Sequence, residues 1–444
     1  MKWDLTYLFE NEEAFNKAFE ELPPYIAKLA SYKGTLSEEK NFVDFLLLSD
    51  EVETKLLRIF QYTHLKSDLN KKDVAAASAL QKVYFFLNSL MQATSFESPE
   101  ILSIGRKKVM EFIDNNESIS SHKFSMEKLF RMNKHVLSAA KEQLLSYFSA
   151  SNAAANNLYD NLSTADNKDS KVKLSNGKTV TVTQGNWRSL ITDVDNKYDR
   201  RKVFRAIFDK YEANKNTYAN IYQLSYQMDL ASVKARKYNS ILESHLFRNN
   251  IPTSVYTNLV DVASNNNASL KKYIKLRAKH LNLTTHYTYD RFLQLAHSDK
   301  KYSYDEAKEL FFTSILNTPK DFQEKAREVL RDGFVDVYES EGKRTGAYSS
   351  SVTDTHPFIL LNYTEGLDDV FTLAHEAGHA MHSYYSNKNQ PYETSGYAIY
   401  VAEVASTVNE ILLNKYMLEN SKDIDDKIYY LDRYIKNIKS TVFR

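Results

Sequence analysis

The residues with the clearest chemical potential are two histidines and a glutamate in the run His375-Glu376-Ala377-Gly378-His379. Side chains four residues apart lie on one face of an α-helix, about 6 Å apart, so both imidazoles can reach one tetrahedral metal ion. Glu376, next to the first histidine, can then polarise a water molecule on that metal. The spacing favours a zinc site with a general base, one zinc ion per chain. The alternative is a pair of histidines that simply pack in a helical core.

A hydrolytic zinc site also needs a third protein ligand and an open fourth position, and Glu403 is the candidate. It lies 24 residues after His379 in a mostly apolar stretch. A carboxylate buried there without a cation or donors would cost several kcal/mol, so we expect Glu403 to be buried and to bind the metal. The alternative is an ion pair with a lysine or arginine. Ser406 and Glu410 follow on the same helix face and are expected to orient a metal ligand, unless they only pack or face solvent.

His382 is the competing third ligand, because it lies three residues after His379. It is about 10 Å along the helix axis from His375, so a metal seated between His375 and His379 would be too far away. A polar group lining the cleft is the alternative role for His382. The metzincin pattern HExxHxxGxxH does not apply, since its glycine and third histidine correspond to His382 and Tyr385.

Apolar periodicity predicts the elements that must hold these groups. Two helices are expected, from Leu367 to about Tyr385 and from Tyr397 to about Leu418, joined by a loop over residues 387–393 that contains Pro391. Residues 342–363 read as two short strands around a turn.

Further upstream, apolar residues recur mostly at helical spacing, and one segment carries a strong signal for β-strands. Asn176-Gly177 separates two alternating runs and predicts a β-hairpin. Residues 149–170 lack a stable apolar stripe and are expected to form a loop or loose connection. We therefore expect an N-terminal helical region over residues 1–185 that ends in the hairpin, and a catalytic region over residues 186–444.

The amino-acid composition limits the kinds of fold and function that this chain can have. Only 10 Gly and 7 Pro occur among 444 residues, which indicates a mainly helical protein. The net charge of +1 argues against nucleic acid or an anionic membrane as the main partner. The absence of cysteine means that any metal must be held by His, Asp or Glu, and it fits a cytoplasmic protein. No apolar run reaches the roughly 18 residues that a membrane span needs.

The run TLAHEAGHAMHSYYS, followed by YVAEVASTVNEILL, resembles the thimet-type zinc oligopeptidases, most closely the oligoendopeptidase F branch. The resemblance extends to WDLTYLF, DNKYDRRKVF and GKRTGAYSSSVTDTHPFILLNYTEGLDD, and thus covers nearly the whole chain. It implies a mainly α, two-lobed helical zincin of the gluzincin kind, with a deep channel and a small β-sheet near the metal. The implied activity is endopeptidase action on short oligopeptides, with His375, His379 and Glu403 as ligands and Glu376 as base.

The resemblance also implies a later segment with substrate-binding His and Tyr side chains, which nothing in residues 1–444 matches. We therefore expect the catalytic region to be incomplete at its C-terminus. A catalytically silent helical scaffold that binds peptides is the alternative function.

A strand edge around Gly346, Ala347 and Tyr348 is the expected substrate contact. An extended peptide can pair with such an edge, and the small residues let its backbone approach closely. A purely structural hairpin is the alternative.

Overall fold

Helices make up most of the chain, as the low glycine and proline content predicts. The structure is a computed structural model and describes residues 2–146, 148, 154–160, 162–163, 166, 168–183, 186–296 and 300–443. Its α-helices span Glu12–Glu20, Pro23–Ala30, Glu39–Leu69, Val74–Ala93, Glu97–Ile104, Arg106–Asn115, Lys123–Met132, Ala139–Ser146, Ala154–Asp160, Trp187–Thr192, Lys197–Ala213, Lys215–Ala235, Ile241–Phe247, Thr253–Asn265, Ala268–His280, Tyr304–Ser314, Lys320–Val329, Leu367–Asn389, Tyr392–Ser395, Ile399–Asn420 and Ile424–Val442. The prediction of a mainly α protein is confirmed.

The predicted hairpin is present. Strands β1 (Ser170–Lys173) and β2 (Thr179–Val182) pair antiparallel. Gly177 in the turn has φ +84°, a left-handed conformation that glycine adopts without steric cost. Nine of the 22 residues in the connection predicted over residues 149–170 lie outside the described residues. Ala154–Asp160 within it is a helix, so the expected loop is wrong for these residues.

A second sheet has three strands, β3 (Val335–Tyr338), β4 (Tyr348–Ser350) and β5 (Phe358–Tyr363), in the order β3-β5-β4. β5 is parallel to β3 and antiparallel to β4. Both strands expected between residues 342 and 363 are therefore confirmed. β3 was not predicted, because an apolar run of this length cannot be told from a helix end by periodicity.

The chain divides into two units by its internal contacts. One unit comprises Met1–Gln143 and Asp299–Asn420, and the other comprises Leu144–Ser298 and Ser421–Arg444. The first unit contains the three-stranded sheet and an aromatic-rich core in which Phe42, Phe45 and Phe358 are fully buried. The boundary expected at residue 185 and the deep channel stay predictions.

Two helices of the first unit hold the candidate site. We call Leu367–Asn389 the histidine helix and Ile399–Asn420 the glutamate helix. Both were predicted, although the first runs to Asn389, and the expected loop contains the short helix Tyr392–Ser395. The histidine helix also packs against β4 and β5. The two helices and the sheet therefore form one packed arrangement around the site.

The two helices approach each other closely at Gly378. A Cβ atom at this position would lie 2.8 Å from both the Ala405 carbonyl oxygen and the Ser406 Cα, which is closer than real Cβ contacts allow. Glycine in the middle of a helix costs about 1 kcal/mol relative to alanine. At Gly378 the absence of a side chain permits the close approach of the two helices, which offsets this cost.

Gly378→Ala is expected to destabilise the protein by about 1–3 kcal/mol, because overpacking against backbone outweighs the gain in helix propensity. Urea denaturation measures the change. Gly396→Ala is the matched control, since a Cβ there meets nothing within 4 Å and the φ of −70° suits alanine. A Gly378→Ala variant as stable as the control would contradict the close approach.

Candidate metal centre

Three ligand atoms converge where the histidine helix faces the glutamate helix. His375 Nε2 and His379 Nε2 are 3.1 Å apart. Each of them lies 3.4 Å from Glu403 Oε2. The i, i+4 spacing brings the two imidazoles together, and the packing of the second helix brings the carboxylate to them.

These separations fit a tetrahedral ion. Ligand atoms that each lie 2.0–2.1 Å from a tetrahedral zinc are about 3.3–3.4 Å from one another. Two imidazole nitrogens and one carboxylate oxygen are also a donor set that zinc accepts. The residues present therefore fit a zinc ion with a fourth position left open.

Glu403 is not buried, contrary to the sequence-based expectation. Its side chain is 57% exposed. The glutamate helix buries the face that carries Ala402, Ser406 and Asn409. Apolar neighbours of Glu403, such as Val404, stand on other faces and are exposed. The apolar surroundings in the sequence therefore do not correspond to an apolar environment in the fold, and the argument from burial cost does not apply.

Glu410 and Ser406 each contact one candidate ligand. Glu410 Oε1 lies 2.7 Å from His375 Nδ1. Since a carboxylate can only accept, Nδ1 carries the proton and Nε2 presents its lone pair to the site. The Ser406 hydroxyl donates to Glu403 Oε2 at 2.8 Å. Both side chains therefore contact the groups that they were expected to orient.

The carboxylates and the low polarity of the site shift the histidine pKa values in opposite directions. Burial alone would lower the pKa of His375, but the hydrogen bond with Glu410 and the nearby carboxylates raise it overall. Burial and the neighbouring His375 lower the pKa of His379. A lowered pKa keeps an imidazole neutral, which is the form that binds a metal.

Glu376 lies beside the ligands and is buried. Burial raises its pKa to about 7, against the attraction of His375. The backbone N–H of Ser349 on β4 opposes this rise. A carboxylate with a pKa near neutrality can both accept and release a proton at physiological pH.

His382 lies outside the converging group. Its ring stacks on Tyr397 with centroids 3.8 Å apart, and burial lowers its pKa. The metal-ligand group formed by His375, His379 and Glu403 does not include it.

Removing the two candidate third ligands is expected to have unequal effects. Glu403→Ala should weaken zinc binding far more than His382→Ala, because only Glu403 reaches both imidazole nitrogens. Competition titration with a chromogenic chelator gives both affinities. A larger loss in His382→Ala would assign the third ligand to the histidine.

The predicted substrate residues lie at and just before the edge strand β4. Gly346 has φ +87°, and its carbonyl accepts a hydrogen bond from the Asn362 side chain at 2.7 Å. Ala347 follows it, and Tyr348 begins β4, with its hydroxyl donating to Asp68 at 2.7 Å. Tyr348 is thereby held against the helix Glu39–Leu69.

Sequence reasoning missed two features of the first unit. One is the contact of Ser349 with Glu376, which no spacing signals because 27 residues separate them. The other is a second group that could hold a metal, formed by Asp50, His122 and Glu393. Its members come from three distant segments, so no local pattern marks them. Among the described residues, no helix is both long and apolar enough to cross a membrane.

The helical fold and the paired histidines with a third carboxylate define a metallopeptidase of the HExxH class. The chain belongs to peptidase family M3, whose family model matches residues 190–444. A second model, described as oligopeptidase F, matches residues 100–168. The resemblance inferred from the motifs is confirmed.

Individual relatives agree with this assignment. The chain is 34% identical to oligopeptidase PepF of Bacillus subtilis, over all of this chain and 66% of that protein. It is 30% identical to the group B oligopeptidase PepB of Streptococcus agalactiae, over all of this chain and 74% of that protein. A crystal structure of a protein from Chlamydophila abortus superposes with a TM-score of 0.85 at 31% identity, covering all of this chain and 75% of the other.

Proposed function

We propose that this chain is a zinc-dependent endopeptidase that hydrolyses peptide bonds in short oligopeptides and holds one zinc ion. The observation that carries the proposal is the convergence of three ligand atoms at tetrahedral spacing. The buried carboxylate of Glu376 beside them supplies the base that hydrolysis needs. The names of the relatives, which are oligopeptidases, support short peptides as the substrate class.

In this proposal His375, His379 and Glu403 hold the metal. A bound zinc ion supplies Lewis acidity toward the scissile carbonyl and lowers the pKa of water to about 7. Glu376 accepts the proton of the attacking water and passes it to the leaving amine.

The remaining polar residues position these groups. Glu410 fixes the tautomer and ring orientation of His375, and Ser406 holds one carboxylate oxygen of Glu403. The backbone N–H of Ser349 lies close enough to Glu376 to lower its pKa, which places the base beside β4. The proposed base, Glu376, and the edge of β4 are therefore next to each other.

The outer edge of β4 is the proposed contact for the substrate backbone. Antiparallel pairing alternates groups that face the partner strand with groups that face away. In β4 the N–H of Ser349 faces away from β5 and toward Glu376. The carbonyl of Ser349 and the backbone of Ala347 therefore lie on the outer edge of β4, the edge that does not pair with β5. An extended peptide accepted there would run beside the base, with Gly346 and Ala347 allowing close approach. We also propose a cytoplasmic location, which the cysteine-free composition fits.

Zinc content and peptide cleavage, measured on the same preparation, test the proposal. Elemental analysis should find about one zinc per chain, and an internally quenched fluorescent peptide should be cleaved in a chelator-sensitive manner that added zinc restores. A folded protein substrate should be cleaved much more slowly than the short peptide. Peptide binding without cleavage by the zinc-loaded protein would instead support the silent scaffold.

A further inference from the structure

A cavity of about 400 Å³ lies in the first unit, and its lining includes no residue of the candidate metal centre. Its walls come mainly from the helices Glu39–Leu69 and Val74–Ala93 and are largely apolar. The buried part of this apolar wall is formed by Leu29, Val52, Leu56 and Leu90. The volume falls within the range of about 300–1,000 Å³ that small-molecule sites occupy.

Two carboxylates interrupt this apolar wall. Glu53 and Glu97 both line the cavity, together with Tyr392, whose hydroxyl donates to Glu53 at 3.0 Å. Within the described part of the chain, the Glu97 carboxylate has no hydrogen-bond or ion-pair partner. The cavity lining contains no lysine, arginine or histidine. A negative group in low-polarity surroundings thus faces the cavity without a cation.

The nearest imidazole is already engaged. His122 Nε2 lies 2.8 Å from Asp50 Oδ2 and 3.1 Å from Glu393 Oε1, so a protonated ring shares its charge between these two carboxylates. His122 makes its close contacts with Asp50 and Glu393. It also acts on Glu53 and Glu97 and lowers the pKa of each, but by less than desolvation raises it.

The titration of the two cavity carboxylates agrees with uncompensated negative charge. Desolvation, and then the neighbouring Glu53, raise the pKa of Glu97 to about 7. Desolvation also raises the pKa of Glu53, although the hydrogen bond from Tyr392 opposes the shift. A bound cation would reverse both shifts, because an opposite charge at close range favours the ionised carboxylate.

We propose that this cavity binds a small primary amine with an apolar body. The ammonium group would contact Glu97 and Glu53, and the apolar part would lie against the leucine side chains. An ammonium group brings three donors, and charge-assisted hydrogen bonds are about twice as strong as neutral ones. A metal ion would leave the apolar walls unused, and an anion or a neutral hydrocarbon would leave Glu97 unpaired.

This site is separate from the metal centre. From His379 to the end of the histidine helix at Asn389 the axis rises by about 15 Å, and Tyr392 lies beyond that end. Because the cavity lining also includes none of the candidate metal ligands, the proposed amine would bind independently of zinc and of peptide hydrolysis.

Titration calorimetry on the zinc-loaded protein at pH 8 tests the proposal, with 4-phenylbutylamine as the probe and 4-phenylbutan-1-ol as its neutral counterpart. The amine should bind about 10- to 100-fold more tightly than the alcohol, the range that a hydrogen-bonded charge pair supports. Glu97→Gln should reduce amine affinity to the level of the alcohol without changing the affinity for the alcohol. Glu111→Gln, on an exposed residue outside the cavity lining, should leave both affinities unchanged.

Equal affinity for amine and alcohol in the wild-type chain would overturn the proposal. Amine binding that survives in both Glu97→Gln and Glu53→Gln would overturn it too. Circular dichroism shows whether each variant is folded. Because Glu97→Gln removes a desolvated charge and keeps the size of the side chain, a loss of binding with an unchanged spectrum identifies the carboxylate as the cause.

Discussion

Glu376→Gln is expected to lower kcat/KM for a short peptide by about 10²- to 10⁴-fold or more, the range typical of removing a general base. The amide keeps the size of the side chain, and its oxygen can still accept a hydrogen bond. It cannot accept a proton at neutral pH, so the loss should fall on kcat rather than on substrate binding. Steady-state kinetics with a quenched fluorescent peptide measures it.

Zinc content and thermal stability are the controls for this variant. Both should match the wild-type protein, because Glu376 is not among the three converging ligands. Residual activity within a few-fold of wild type, with full zinc content, would show that another group activates the water.

Changing both His375 and His379 to Ala is expected to abolish zinc binding. The two imidazoles supply two of the three ligand atoms, and one exposed carboxylate cannot hold the ion alone. Each single change should weaken binding by more than the roughly 10- to 100-fold typical of losing a partner that only orients a ligand, the role proposed for Glu410. Elemental analysis after dialysis gives the zinc content.

His245→Ala is the matched control for the double change, since His245 is exposed and lies in the other unit. It should retain zinc fully. Zinc retention in the double histidine variant would exclude the site as described.

The sequence predicted best those features that depend on residues close to one another in the chain. The four-residue interval of His375 and His379 is a property of the α-helix, so their convergence follows once the helix forms. Asn176-Gly177 likewise specifies its own turn. The mainly helical class follows from composition alone.

Features that depend on long-range packing could not be obtained in this way. Glu403 was expected to be buried because its neighbours are apolar, but tertiary packing decides which face of a helix is covered. The contact of Ser349 with Glu376 depends on where β4 lies against the histidine helix. Gly378 did carry a signal that could have been used, since glycine in a helix interior is unfavourable unless something approaches it closely.

The division of the three ligands between two helices that meet at Gly378 has a thermodynamic consequence. An ion that binds only when both helices are docked adds its binding free energy to the stability of the first unit by mass action. At a free metal concentration 1,000 times the dissociation constant this contribution is about 4 kcal/mol, comparable to the whole stability of a marginal domain. Metal binding and docking of the helix pair are then linked, so the heat resistance of this unit becomes a function of the metal supply around it.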